Sequence, residues 1–171
     1  MIALALALAL ALSAPPLACP PGTEPRGAAP SEGYDEWCEG KDPYGQPWRH
    51  GPARTWYDDG GLWTEESFRE GQRDGPYLEH HRGGAKAREG TYARGQKAGR
   101  WTIWFPTGVV EEESTWKDGI RQGAFTAYWP SGKPRTVGRH CSGAQCGRWR
   151  TFDEGGRELG SVDYDEQRDT P

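Results

Sequence analysis

Glycine recurs at a fixed interval of 24 residues through most of this 171-residue chain. Three columns of glycine keep that interval when the repeats are aligned. The columns are Gly51, Gly75, Gly99, Gly123 and Gly147; Gly60, Gly84, Gly108, Gly132 and Gly156; and Gly71, Gly95, Gly119 and Gly143. A constant period in this range is the signature of a repeat protein, in which one small unit cannot bury its own apolar face and stacks on its neighbours.

Each repeat is predicted to be a β-hairpin that opens at the first glycine column. In residues 99–122, a stretch of aromatic and β-branched residues leads into Pro106-Thr107-Gly108, and a second such stretch follows. Glycine recurs in this turn, and in the turn into the next repeat, because tight hairpin turns require positive φ. The prediction is an all-β fold, an elongated single-layer antiparallel sheet of tandem β-hairpins with a 24-residue repeat.

Aromatic residues follow the same period. The strand that ends each repeat carries Phe68, Tyr92, Trp116, His140 or Tyr164, and the next strand begins with Tyr77, Trp101, Phe125 or Trp149. A symmetric turn between repeats would place Phe68 opposite Tyr77, and likewise Tyr92 opposite Trp101, Trp116 opposite Phe125 and His140 opposite Trp149. Each such cross-strand pair is worth ~0.2–1 kcal/mol over an Ala–Ala pair.

A second ring column lies three residues farther along each first strand. Its members are Trp56, His80, Trp104, Tyr128 and Phe152. An odd separation in a strand sends the two columns to opposite faces of the sheet. Because the intervening residues are mostly charged or Thr, rings on both faces indicate a thin sheet rather than the core of a two-sheet sandwich.

The composition fits a folded chain without a nucleic-acid partner. Nine Trp and 12% aromatic residues argue against disorder, although Gly and Pro are abundant. The formal net charge of −4, with Lys and Arg spread among as many acidic residues, provides no concentrated basic surface for phosphates.

The N-terminus is typical of export. Residues 2–12 form an uncharged apolar run that is too short to span a bilayer and has the length of a signal-peptide core. We predict a signal peptide over residues 1–18, a Pro/Gly-rich cap over 19–50, the repeats over 51–164 and an acidic tail over 165–171. The protein is then periplasmic, at the cell surface or secreted.

The four cysteines fit two disulfides, which form in the oxidising compartments that exported proteins reach. We favour Cys19 with Cys38 and Cys141 with Cys146. Lipidation of Cys19 is the alternative for the first pair and would provide the only membrane attachment. For the second pair, metal binding with His140 is the alternative, because these are zinc-ligand types.

The spacing Phe68-x-x-Gly71-x-x-x-Gly75-x-Tyr77 recurs from Tyr92 and from Trp116. This pattern resembles the bacterial variant of the MORN repeat, found in proteins labelled YwqK-family antitoxins. The resemblance covers residues 51–164 and implies an elongated array of antiparallel hairpins. It implies a scaffold for interactions rather than any particular chemistry.

No catalytic motif, phosphate loop or cofactor fingerprint occurs in the sequence, so we expect neither enzymatic activity nor a cofactor or metal. The leading hypothesis is a protein-binding module with an exposed aromatic face of Trp56, Trp104, Tyr128 and Phe152. The same rings could instead only stabilise a thin sheet. Carbohydrate or cell-wall binding through the aromatic rows, and antitoxin-like binding, are the alternative functions.

Overall fold

The computed structural model describes residues 15–165. The predicted signal peptide therefore lies almost wholly outside the described residues, as does the predicted acidic tail. Among residues 15–165, no helix has the length and apolar character needed to cross a membrane.

The described residues form twelve strands in a single open sheet. Every strand is hydrogen-bonded and antiparallel to the next one in the chain, so the predicted single-layer array of hairpins is confirmed. The strands are β1 Glu24–Ala28, β2 Asp35–Lys41, β3 Pro47–Trp56, β4 Leu62–Arg69, β5 Gln72–His80, β6 Lys86–Ala93, β7 Gln96–Trp104, β8 Val110–Lys117, β9 Ile120–Tyr128, β10 Pro134–Cys141, β11 Ala144–Phe152 and β12 Glu158–Asp163.

The turns between repeats are two-residue loops with positive φ at both positions. Glu70 and Gly71 have φ of 52° and 78°, and three further turns repeat this geometry. Those turns are Arg94-Gly95, Asp118-Gly119 and Ser142-Gly143. Such type I′ turns match the twist of the flanking strands, which explains why glycine returns at this position.

The first glycine column lies within strands rather than at their start. Gly75 sits inside β5 with φ of 118°, where the register shifts between the pairs Phe68–Arg73 and Glu66–Tyr77. A bulge at this point lets β5 carry extra residues opposite β4. These glycines therefore bend each first strand.

The predicted ring register is wrong, because the turn between repeats has two residues, Glu70 and Gly71. Phe68 lies opposite Arg73, and the equivalent rings lie opposite other polar residues. Those pairs are Tyr92–Lys97, Trp116–Arg121 and His140–Gln145. The two-residue turn starts the pairing close to the loop, so rings meet diagonally, as Tyr92 and Trp101 do with centroids 5.0 Å apart.

The cap is part of the sheet. Residues 19–50 contain β1, β2 and the first part of β3. The predicted disulfide Cys19–Cys38 is confirmed and fastens the segment before β1 to β2. The predicted Cys141–Cys146 disulfide is also confirmed and closes the β10–β11 hairpin.

Hydrogen bonds at both ends of the hairpins join consecutive repeats. At one end, Gly71 N donates to Arg49 O at 2.9 Å, and Gly95 N donates to Arg73 O at 2.7 Å. At the other end, the Tyr57 hydroxyl donates to His80 O at 2.8 Å, and Trp129 Nε1 donates to Phe152 O at 3.1 Å. These bonds fix the position of each hairpin on its neighbour.

Candidate functional site

The strand register divides the side chains between two faces of the sheet. One face, here called the ring face, carries the rings that end each repeat and the rings that begin the following strand. These are Phe68, Tyr77, Tyr92, Trp101, Trp116, Phe125, His140, Trp149 and Tyr164. The opposite face, here called the groove face, carries Arg54, Glu65, Leu78, Glu89 and their equivalents, because residues directly opposite share a face. The second ring column also lies on the groove face, as its contacts below show.

Large rings on the ring face lie over small residues of the neighbouring strand. Trp101 is 2% exposed, and a Cβ at Gly90 would come within 2.3 Å of its indole. Gly138 stands in the same relation to Trp149, at 2.2 Å. Glycine is required here by the close approach of a ring and not by its backbone angles.

A ladder of cations runs along the ring face at the repeat interval. It consists of Arg49, Arg73, Lys97 and Arg121. Lys97 Nζ lies 4.1 Å from the Trp101 ring centroid and 4.8 Å from that of Trp116. Burial lowers the pKa of Lys97 below its usual range. In the sequence, these cations stand two places before the first four glycines of the first column, and Gln145 takes the place before Gly147.

Carboxylates complete this packing on the ring face. Arg73 Nε donates to Glu66, which is buried, at 2.5 Å, and Arg121 donates to Glu112 at 2.8 Å. The Arg121 guanidinium also lies over the Trp116 and Phe125 rings. The charges of this face are therefore engaged by its own rings and carboxylates.

The groove face contains an open groove of about 830 Å³ that spans β3 to β7. Its floor is made of small or apolar side chains, including Pro52, Ser67, Pro76, Leu78 and Thr91. A smaller cavity of about 320 Å³ continues it toward β9 and shares Arg100 with it. The groove thus crosses three repeats.

Three carboxylates stand in one straight row across the groove face. Register places Glu65 opposite Leu78, Leu78 opposite Glu89, Glu89 opposite Thr102 and Thr102 opposite Glu113. The side chains of Glu65 and Glu89 are 44% and 50% exposed. This row occupies alternate strands of the sheet and is a further column with the 24-residue period.

Each carboxylate of the row has a partner in the sheet. Glu65 Oε1 lies 3.6 Å from His80 Nε2, and Glu89 accepts from Lys86 Nζ at 2.8 Å. Glu113 pairs with Arg100 and accepts from the Tyr128 hydroxyl at 3.0 Å. The pKa of Tyr128 is raised mainly by burial and, to a lesser extent, by the hydrogen bond to Glu113.

The predicted aromatic face is only partly exposed. Trp56 is 7% exposed, so its assignment to an exposed binding column is wrong. Trp104, Tyr128 and Phe152 are half-buried. Lys86 lies over Trp104 and Arg150 over Phe152. None of these three rings lines the groove, whose lining consists of other residues that the ring pattern alone did not reveal.

The chain's own proline-rich segment covers one end of the groove face. A Cβ at Gly51, which is buried, would come within 2.6 Å of the Pro20 ring, so this proline packs directly on β3. Arg54 Nη1 donates to Pro15 O at 2.8 Å. The Cys19 sulfur is bonded to Cys38, so lipidation at that sulfur is incompatible with this structure.

The second disulfide removes the ligand set considered for a metal. Cys141 and Cys146 are bonded to each other, and His140 is packed between the Phe125 and Trp149 rings. Burial lowers the pKa of His140 below its usual range. Within residues 15–165, no group of three or more His, Cys, Asp or Glu side chains is placed to hold a metal ion.

Comparison with known proteins returned one family and no match among curated proteins. The MORN repeat variant matches residues 49–70 and 97–118. These segments correspond to β3–β4 and β7–β8, each from a ladder cation to the first residue of the next two-residue turn. Two matches that lie two repeat intervals apart, within a sheet of tandem hairpins, support a MORN-repeat protein.

Proposed function

We propose that this protein is a non-enzymatic, exported repeat scaffold that binds another protein on its groove face. The observation that carries the proposal is the open groove across β3 to β7. MORN repeats are commonly binding repeats, which agrees with this role. Membership of the YwqK-labelled bacterial subset is part of the proposal.

The contrast between the faces favours the groove as the binding surface. The ring face is filled by its own rings, cations and carboxylates, as at Lys97 between Trp101 and Trp116. The groove face instead leaves Leu78 and two prolines lining an open concavity. Concave surfaces with an apolar floor and a few polar groups are the usual sites of ligand binding.

Other repeats of the chain already have arginine at positions equivalent to two residues that line the groove. Leu78 is equivalent to Arg54 and Arg150, so arginine is already tolerated at this position of the hairpin. Thr91 is likewise equivalent to Arg139. We therefore expect Leu78→Arg and Thr91→Arg to fold and to obstruct the groove. Ser161→Arg on β12 places the same side chain outside the groove and is the matched control.

The test is affinity capture from the cell-envelope fraction with the disulfide-bonded protein, followed by identification of the bound proteins. Leu78→Arg and Thr91→Arg should lose the captured partner while their unfolding curves stay unchanged. Ser161→Arg should capture it normally. Equal capture by Leu78→Arg and the control would overturn the groove as the binding surface.

Export is supported by the apolar run at residues 2–12 and by two disulfides, which are compatible with an oxidising compartment. Mass spectrometry of the protein isolated from producing cells tests this part of the proposal. We expect a mature chain without the apolar run and with both disulfides intact. Recovery of an intact N-terminus and four free thiols would contradict export.

Carbohydrate binding is the second candidate because Trp104, Tyr128 and Phe152 form a half-buried row on the same face. Planar rings can stack on sugars when one ring face is open. Binding to cell-wall glycans that is lost in Trp104→Ala and retained in Leu78→Arg would favour this function. The opposite result, or a captured toxin-like protein, would favour protein binding.

A further inference from the structure

We propose that the groove recognises a proline-rich segment in the polyproline II conformation that carries Lys or Arg at every third residue. This inference names the partner class of the groove and therefore rests on the proposed function. It is carried by the spacing of the carboxylate row, by the lining of the groove and by the proline-rich segment already packed on the same face.

The spacing of the carboxylates selects the ligand conformation. Glu65, Glu89 and Glu113 stand on alternate strands of one straight row, which separates neighbours by about 9.4–9.8 Å. A polyproline II helix rises about 9.3 Å per turn of three residues. Side chains three residues apart in such a ligand therefore meet successive carboxylates.

Other regular conformations fit this row less well. In an extended β-strand, residues on one face recur about every 6.6 Å, and residues three apart point to opposite faces. In an α-helix, residues seven apart share a face at about 10.5 Å, so the mismatch grows by about an ångström at each carboxylate. The polyproline II ligand keeps its mismatch below half an ångström per interval.

The charge of the groove selects basic side chains. Glu65 and Glu89 line the main groove and are half exposed, whereas Arg100 is the one basic residue that lines it among the described residues. Each carboxylate has about four lone-pair sites and uses only part of them for its partner in the sheet. A ligand cation can thus bind Glu65 and Glu89 without displacing His80 or Lys86. At Glu113, which is 27% exposed, it shares the carboxylate with Arg100 and the Tyr128 hydroxyl.

The floor of the groove suits proline. Pro52, Pro76 and Leu78 provide apolar surface between the carboxylates. On the neighbouring part of the same face, the chain already packs Pro20 against the bare backbone of Gly51. This intramolecular contact shows that the groove face accepts a proline-rich segment without regular secondary structure.

The experiment measures binding of a fluorescein-labelled peptide of repeated Pro-Pro-Arg triplets, about twelve residues long, to the full disulfide-bonded protein by fluorescence anisotropy. A peptide of the same composition with its arginines moved off the three-residue period is the matched control. We expect saturable binding that is weaker for the control and that decreases with salt, because exposed ion pairs are screened.

Glu89→Gln should weaken binding of the periodic peptide about two- to fivefold, the loss of one exposed ion pair. Glu158→Gln on β12 should leave it unchanged. Equal affinity for both peptides, or no effect of Glu89→Gln, would overturn the inference. Absence of peptide binding together with groove-dependent capture of a protein partner would refute the inference alone and leave the proposed function standing. Loss of both would refute both.

Discussion

The ring face and the groove face are built from the same twelve strands, but the first is filled by its own side chains and the second has an open groove. On the ring face, a ring, a cation and a small residue of neighbouring strands pack together, as Trp101, Lys97 and Gly90 do. On the groove face, the first three repeats add the carboxylates Glu65, Glu89 and Glu113 next to an open groove. The first face accounts for stability, and the second carries the groove that we propose as the binding surface.

The strongest test of this division is to remove a ring from each face. Trp101→Ala should reduce the free energy of unfolding by about 3–5 kcal/mol, because it leaves a cavity over Gly90. Trp104→Ala on the groove face should cost clearly less, since Trp104 is half-buried. Urea denaturation measures both, and equal losses would break the comparison.

The disulfides should contribute next, and unequally. Replacing Cys19 and Cys38 by Ser opens a loop of about twenty residues and should cost about 3 kcal/mol, whereas the same change at Cys141 and Cys146 should cost about 2 kcal/mol. The first change also frees the segment that covers one end of the groove face. Thermal unfolding gives the order, and the reverse order would contradict the loop-length argument.

The cation ladder should have a smaller and measurable effect. Lys97→Met keeps the length of the side chain but removes a cation from between two indole rings. We expect a loss of about 1–2 kcal/mol in the free energy of unfolding. Lys117→Met, at an exposed position of β8, is the matched control and should change little. If both variants unfold alike, the ladder does not stabilise the ring face.

The smallest expected effect is the pH dependence from His140. Its pKa is lowered by burial between rings, so the unfolded chain binds a proton at higher pH than the folded one. Stability should therefore fall as the pH decreases from about 6.5, with a slope of at most ~1.4 kcal/mol per pH unit. His140→Phe should remove this part of the slope. An identical pH profile for the variant would show that His140 is protonated without penalty.

Part of the candidate site was visible in the sequence. The placement of the second ring column on the face opposite the first followed from an odd separation, and Trp104, Tyr128 and Phe152 are indeed half-buried there. The burial of Trp56 could not be read in this way, because the repeat pattern does not describe the cap that pairs with β3, where Tyr34 O accepts a hydrogen bond from Trp56 N. The cation ladder and the carboxylate row are periodic columns of the sequence, but only the strand register shows which side chains they lie against.

The sequence by itself determined the period, the hairpins and the positive-φ turns, because these depend on residues close in the chain or on fixed spacing. It favoured the two disulfide pairs, which the structure then selected over lipidation and metal binding. Tertiary structure decided which residues face each other across strands. The two-residue turn places Phe68 opposite Arg73, and the bulge at Gly75 places Tyr77 opposite Glu66. This pairing inserts cations between rings on one face, and the register aligns Glu65, Glu89 and Glu113 in one row on the other.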